Sequence, residues 1–209
     1  MENLHHFRKS YTKFQLDETD VNKNPFKQFN IWLKDAIEDG TFEANAMIVS
    51  TINKNLQPSS RVVLLKQLVE EGFIFFTNYD SRKGQDIKTH KNASILFFWE
   101  KFERQVRIEG TIEKVPDFIS DDYFNSRPKQ SQIGAIVSKQ SKILTSRRTL
   151  EDEIQSFNEN KEIKRPENWG GYILKPHYFE FWQGRANRLH DRIVFEKEKN
   201  NWNIKRIYP

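Results

Sequence analysis

AMIVSTINKNLQPSSRVVLLKQL, residues 46–68, is where a helical period gives way to strand-like runs. AMIVSTI (46–52) and SRVVLLKQL (60–68) flank the polar stretch Asn53-Lys54-Asn55, and together they read as a β-hairpin that lacks the customary glycine. Glu70-Glu71-Gly72 then turns into GFIFFTN (72–78), a third strand. ASILFFWE (93–100) and ERQVRIEGTIEKV (103–115) read as two more. Strands in such close succession predict an antiparallel barrel or sandwich.

On the N-terminal side, Asn24 and Pro25 form a helix start, an Asn cap with proline at the first helical position. Phe29, Trp32 or Leu33, and Ala36 or Ile37 repeat at helical spacing until Gly40 stops the run. Residues 1–23 are polar and weakly periodic, and read as a mobile leading segment before a single domain spanning 24–209. On the C-terminal side, Ser81 can cap a short helix, and residues 117–125 read as a helix closing at Ser126-Arg127-Pro128. SQIGAIVSKQS (131–141) favours helix over strand, and residues 145–158 are helical with Leu150, Ile154 and Phe157 on one face. A polar loop over 161–168 precedes GGYILKP, YFEFWQ, DRIVFEKE and WNIKRI, which return to β. The expected fold class is therefore mainly β with helices, of the α+β type.

The 209 residues are enough for a core, and 17 Phe with 5 Trp exclude global disorder. A net charge of +5 points to anionic ligands, either phosphates or nucleic acid, although solubility alone would account for it. With no cysteine, thiolate nucleophiles, disulfides and Cys-ligated metals are excluded. No apolar run approaches the ~20 residues of a membrane span, and the N-terminus lacks a signal-peptide stretch, so a cytoplasmic location is expected. The five histidines show no metal-ligand spacing, and no P-loop, nucleophile elbow or GxGxxG is present.

What the chain does contain is cations and hydroxyls at element ends. Arg61 and Lys66 bracket four apolar residues; in one strand of period two they would face opposite sides. Thr77, Ser81, Arg82 and Lys83 gather at a strand end and a helix start. Arg and Lys in a first helical turn oppose the helix dipole, and a bound phosphate would explain them. Tyr123 lies one helical turn before Arg127, with Ser131 close behind, again a set suited to phosphate. EFWQGRANRLHDR (180–192) can stack on, charge-stabilise and orient a flat anionic ligand, or be no more than a strand end with a solvated basic loop.

The segments RKSYTK, RVVLLK, FFTNYDSRKGQ, ERQVRIEG, YFNSRPKQSQIGAIVSKQS, NWGGY and EFWQGRANRLHDR, in this order, resemble the pyridoxine/pyridoxamine 5′-phosphate oxidase family of flavin enzymes. The resemblance implies an FMN-binding split β-barrel and a homodimer with flavin sites at its interface. It implies oxidation of pyridoxamine or pyridoxine 5′-phosphate by O2 to pyridoxal 5′-phosphate, with H2O2 released. FMN would be held by Arg61, Val62, Val63, Leu64, Leu65, Lys66, Phe76, Thr77, Arg82, Lys83 and Gln105, with Gln140, Ser141, Trp182 and Arg192. Lys66, Tyr123, Arg127 and Ser131 would hold the substrate phosphate. Arg188, Leu189 and His190 would meet the pyridine ring, with Arg188 and His190 as the catalytic pair. Arg8, Lys9, Ser10 and Tyr11 would form a lid. The chain departs from the family at Lys9, where a second arginine is usual, at the acidic run DETD (17–20) and at Phe76. Two other readings stand beside this one: a split-barrel flavin reductase, which would lack the substrate set, and a non-catalytic phosphate- or nucleic-acid-binding barrel.

Overall fold

The computed structural model describes residues 2–7, 9–157 and 163–209. Helix α1 (Pro25–Glu38) precedes strands β1 (Ala46–Ile52), β2 (Pro58–Leu64), β3 (Gln67–Val69) and β4 (Gly72–Asn78). Helix α2 (Arg82–Thr89) leads to β5 (Asn92–Trp99) and β6 (Arg104–Lys114). Three helices follow, α3 (Asp117–Ser126), α4 (Lys129–Val137) and α5 (Arg147–Gln155), and then β7 (Trp169–Gln183), β8 (Asp191–Glu198) and β9 (Asn201–Arg206). The strand order is β2-β1-β5-β6-β7-β4-β3, with β8 joined to β7 and β9 to β8. The β3–β4, β4–β7, β7–β8 and β8–β9 pairs are antiparallel. The fold class read from the strand pattern holds.

Three boundaries differ from the sequence reading. SRVVLLKQL is not one strand: the ladder breaks at Leu65-Lys66, where the Lys66 N–H donates to the Ile74 carbonyl at 2.9 Å. The chain leaves β1 there and pairs with β4, an exchange of partners that no glycine or proline marks. GGYILKP and YFEFWQ are one strand of 15 residues, β7. Pro176, which has no N–H to give, falls between Leu174, the last residue matched to β4 among Phe73–Asn78, and Tyr178, the first matched to β8. The expected helix over 145–158 is shorter, with Ser146 as its cap, and Asn158, like Lys161 and Glu162 of the expected loop, lies outside the described residues.

By contacts the chain forms two compact units. The first comprises Met1–Ile48, Ser94–Glu109 and Pro176–Pro209. Its core is aromatic: Phe29 of α1 meets Phe97 edge-on with ring centroids 4.8 Å apart, and Trp32 meets Phe181 edge-on at 5.3 Å. These are the helical positions 29, 32 and 36 that the periodicity singled out; Ala36 is buried and Ile37 is exposed. The Asn24 side chain caps α1 by accepting from the Phe26 and Lys27 N–H groups. Such a cap is worth about 1 kcal/mol.

The second unit comprises Val49–Ala93 and Gly110–Lys175. β4 is buried along nearly its whole length, which is why GFIFFTN shows no polar alternation. Ile74, Val115 and Ile173 pack with Phe76 and Ile119. Ser81 caps α2 by accepting from the Gly84 N–H. A Cβ on Gly84 would lie 2.1 Å from the Tyr79 carbonyl oxygen, so only glycine lets the helix start this close to the preceding turn.

Candidate functional site

The second unit holds a cavity of about 1030 Å³. This is at the upper end of the roughly 300–1,000 Å³ usual for ligand sites, room for more than one ring system. Arg61, Val62, Val63, Leu64 and Lys66 form one side of it. Phe76, Thr77, Arg82 and Lys83 come from the end of β4 and the start of α2. Tyr123, Arg127 and Ser131 come from α3 and α4, and Gln140 and Ser141 from the segment after α4. Arg61 and Lys66 share this cavity because the strand breaks between them; the opposite facing expected of one continuous strand is overturned. Leu65 is turned inward, 5% exposed, and is not among the lining residues. Trp169, which motif reading left without a role, lines the cavity too.

Five of the lining side chains are cationic (Arg61, Lys66, Arg82, Lys83 and Arg127) and none is acidic. Arg61 is held by its own strand neighbours: Nη1 donates to the Val49 carbonyl at 3.1 Å and Thr51 Oγ1 at 2.7 Å, and Nη2 to Ser59 Oγ at 2.8 Å. Asp86 lies 3.9 Å away, too far for a tight pair. Burial, and then the nearby Arg82, push the Arg61 pKa down against the pull of Asp86. Lys83 is 8% exposed, and its Nζ donates to Thr77 Oγ1 at 3.0 Å, Gln140 Oε1 at 3.1 Å and Ser81 Oγ at 3.4 Å. All three acceptors are neutral. Burial and the Arg61 charge bring its pKa down to about 8. An ammonium set among neutral acceptors and a second cation is stabilised by an arriving anion.

Beside Tyr123 the arrangement repeats with different residues. Lys66 Nζ stands 5.9 Å from the Tyr123 ring centroid, and the Arg127 guanidinium 4.8 Å from that of Trp169. Arg127 Nη1 is buried and has no hydrogen-bond partner. A buried donor left unmatched costs about 1–3 kcal/mol, so this nitrogen marks a place where a ligand oxygen fits.

The remaining candidates belong to the first unit. Trp182 and Arg192 are cross-strand partners on β7 and β8. Arg192 is fully engaged: Nε and Nη2 donate to the two oxygens of Glu180 at 2.8 and 3.0 Å, and Nη1 to the Tyr208 carbonyl. Gln105 lies on β6, half-buried. The His190 ring centroid is 4.6 Å from that of Trp182, and the Tyr11 ring packs on both at 5.8–5.9 Å. Tyr11 reaches them over Gly184, where a Cβ would come within 2.7 Å of its ring. Lys9 is tied to Glu100 at 3.0 Å, an exposed pair, and Ser10 is exposed. Arg8 lies outside the described residues. Arg188 and Leu189 are exposed, and Asn187 and Arg188 both carry positive φ, 56° and 62°.

Sequence reading missed two acidic residues that organise this unit. Asp191 accepts from the Leu16 N–H at 3.0 Å and from Arg185 at 2.7 Å, fastening the N-terminal segment. Glu180 holds Arg192 and also accepts from Arg107 Nη2 at 2.9 Å. Both lie in EFWQGRANRLHDR, where the density of arginines was itself a signal that buried counter-charges were needed.

The chain was compared with known proteins. Residues 33–161 match the family model described as pyridoxamine 5′-phosphate oxidase. Residues 169–209 match the one described as pyridoxine 5′-phosphate oxidase C-terminal dimerisation region. The pyridoxine/pyridoxamine 5′-phosphate oxidase of Leptospira biflexa serovar Patoc is 48% identical over 212 residues, covering 100% of each chain. That of Cytophaga hutchinsonii is 50% identical, covering 99% of each. Among solved structures, PhzG from Burkholderia lata superposes with a TM-score of 0.89 at 27% identity, covering 96% of this chain and 100% of that one.

Proposed function

The chain belongs to the pyridoxamine 5′-phosphate oxidase family, whose split β-barrel fold it shares, and from that premise we propose its reaction. It oxidises pyridoxamine 5′-phosphate and pyridoxine 5′-phosphate at C4′ to pyridoxal 5′-phosphate. For the amine, water and O2 are consumed and NH3 and H2O2 released. The observation that carries this reading is the cavity with five cationic and no acidic lining side chains. These cations divide into two groups, each suited to a phosphate: one for the cofactor, one for the substrate.

FMN fits the first group. Lys83 is buried against neutral acceptors only, Arg61 is held by neutral oxygens at hydrogen-bonding distance, and both stand with Arg82 around the start of α2. We assign the FMN phosphate to Arg61, Arg82 and Lys83, with Thr77, Gln140 and Ser141 completing the polar lining. Gln105, Trp182 and Arg192 would finish the site, some from the second subunit of a homodimer, in keeping with the dimerisation region matched over 169–209. FMN supplies, when bound, the two-electron oxidation and the transfer of those electrons to O2.

The second group supports the substrate assignment. Lys66, Tyr123, Arg127 and Ser131 would anchor the phosphate, turning remote binding energy into orientation at C4′. Arg188 and His190 would meet the ring, and residues 9–11 would cover it. No described helix is long and apolar enough to cross a membrane.

His190 is set up as a donor rather than a base. Its Nδ1 accepts from the Arg185 N–H at 3.1 Å, so in the neutral ring the proton sits on Nε2. Burial and then the Arg188 charge lower its pKa below 6.5, against Asp191. The neutral form therefore prevails at pH 7, and protonation in acid opposes the folded state. An NMR titration, with the resonance identified by its loss in His190→Gln, is expected to give a midpoint below 6.5. A midpoint above 7 would contradict the donor role.

The reaction itself is tested by adding pyridoxamine 5′-phosphate anaerobically to the FMN-loaded protein. The flavin absorbance should bleach and return with peroxide on admitting air. A spectrum that does not change sinks the proposal.

A further inference from the structure

We propose that Trp169 is the positioning residue of the substrate-phosphate clamp: its indole face orients the Arg127 guanidinium while leaving the charge of that group unmatched. The inference rests on the reading above of Lys66, Tyr123, Arg127 and Ser131 as the phosphate site.

Three other half-buried arginines of the chain, outside the cavity, are held by carboxylates. Arg104 is paired with Asp35 at 2.7 Å, Arg165 with Asp117 and Asp121 at 3.0 and 2.6 Å, and Arg192 with Glu180 at 2.8 Å. Arg127 is different. Among the described residues it has no ion-pair partner; its guanidinium carbon lies 4.8 Å from the Trp169 ring centroid, and its Nη1 is buried with nothing to donate to. A carboxylate would fix the guanidinium equally well, but it would also cancel the charge and repel an arriving phosphate. An aromatic face attracts a cation without bearing a formal charge. The planar guanidinium stacked this way keeps its fork of donors directed at the ligand.

The platform is itself firmly built. The Trp169 N–H donates to the Pro166 carbonyl at 3.0 Å, and its carbonyl accepts from Arg165 Nη1 at 2.7 Å. Arg165 is gripped by Asp117 and Asp121 of α3, the helix whose C-terminal cap is Arg127. Phe124 closes on the indole edge-on at 5.3 Å. Tyr123 lies nearly parallel to Trp169, at 8° and 6.2 Å, and stacks on Phe76 at 4.0 Å. The phenol and the guanidinium of the clamp are thus both referenced to one stack of rings.

Trp169→Ala and Trp169→Phe, each alone and combined with Arg127→Ala, test this. The readouts are steady-state oxidation of pyridoxamine 5′-phosphate and calorimetric binding of pyridoxal 5′-phosphate to the full chain. Trp169→Ala should raise KM and Kd about tenfold with kcat little changed, and Trp169→Phe, a weaker cation–π partner, about threefold. In the Arg127→Ala background neither should change Kd further, because the group they orient is gone. Unchanged KM and Kd in both single variants overturns the proposal, and so does an effect that persists at full size without Arg127. Should Trp169→Ala fail to fold, the Trp169→Phe cycle decides alone. A wild-type chain that binds pyridoxal 5′-phosphate yet does not oxidise the amine defeats the oxidase reading, while the binding cycle still judges Trp169.

Discussion

Glu180→Ala is expected to destabilise the protein by about 2–4 kcal/mol, well beyond what an ordinary surface charge contributes. Glu180 is 2% exposed and is the shared acceptor of two arginines: Arg192 donates to both of its oxygens, and Arg107 to one of them at 2.9 Å. Alanine would leave Arg192 without a counter-ion and Arg107 with only the half-exposed Glu109, 3.4 Å from its Nε. Arg107 Nε is already a buried nitrogen with no hydrogen-bond partner, so little slack remains to absorb the loss. Removing one member of a buried pair typically costs ~3–5 kcal/mol, and the partial water access of Arg192 and Arg107 places this case lower. For a chain of this size that corresponds to a fall in Tm of roughly 5–12 °C. Glu180→Gln keeps the shape and one acceptor oxygen, and should cost about half as much. An exposed pair such as Lys9–Glu100 offers a control, whose removal should leave the unfolding midpoint close to wild type. Urea unfolding of the variants decides: a Glu180→Ala protein within 1 kcal/mol of wild type would mean that the cluster is not organised around this carboxylate. Because Arg192 is assigned to the flavin, Glu180→Ala should also loosen FMN more than Glu180→Gln does.

What could be read from the sequence was whatever is decided locally. Asn24 before Pro25 and Ser81 before Arg82 announced helix starts, and both caps are present, because a cap depends on three or four consecutive residues. The strands were legible as apolar runs between turn residues. The break at Leu65-Lys66 was not, since the run Val62–Leu65 is apolar without interruption and the break comes from a change of pairing partner. That one break decides that Arg61 and Lys66 face a common cavity. The role of Trp169 was equally hidden, because the guanidinium it stacks on lies 42 positions earlier in the chain and joins it only through α3. Likewise Glu180 could be seen as a charge among arginines, but not as the residue holding two of them. Composition and spacing suggested phosphate at several places; only the family resemblance sorted those places into cofactor and substrate.

Arg188 should show the largest effect on catalysis: Arg188→Ala is expected to lower kcat about 100-fold while FMN stays bound. The backbone supplies the reason. Asn187 and Arg188 are consecutive residues in the left-handed region, at φ 56° and 62°. For asparagine that conformation is tolerable; for arginine it costs about 1 kcal/mol. Among the described residues Arg188 has no ion pair that would offset this cost, and its side chain is exposed. A strained residue with no structural return is the pattern found where a group is held for a ligand. A guanidinium aimed at charge that develops in the transition state is worth about 10²–10³ in rate, and its removal lowers kcat and kcat/KM together. Arg188→Lys keeps the charge but not the fork, and should recover only part of the loss. Arg188→Gly separates the two arguments. Glycine accepts positive φ without strain, so this variant should match or exceed the wild-type Tm, by up to roughly 2–4 °C, while losing as much turnover as Arg188→Ala. A Tm that falls in Arg188→Gly would show that the side chain stabilises the loop, and the strain argument would fail. Wild-type turnover in Arg188→Ala would remove Arg188 from the chemistry altogether. If both expectations hold, stability rises as activity is lost at one position, which is the signature of a residue retained for its ligand rather than for the fold.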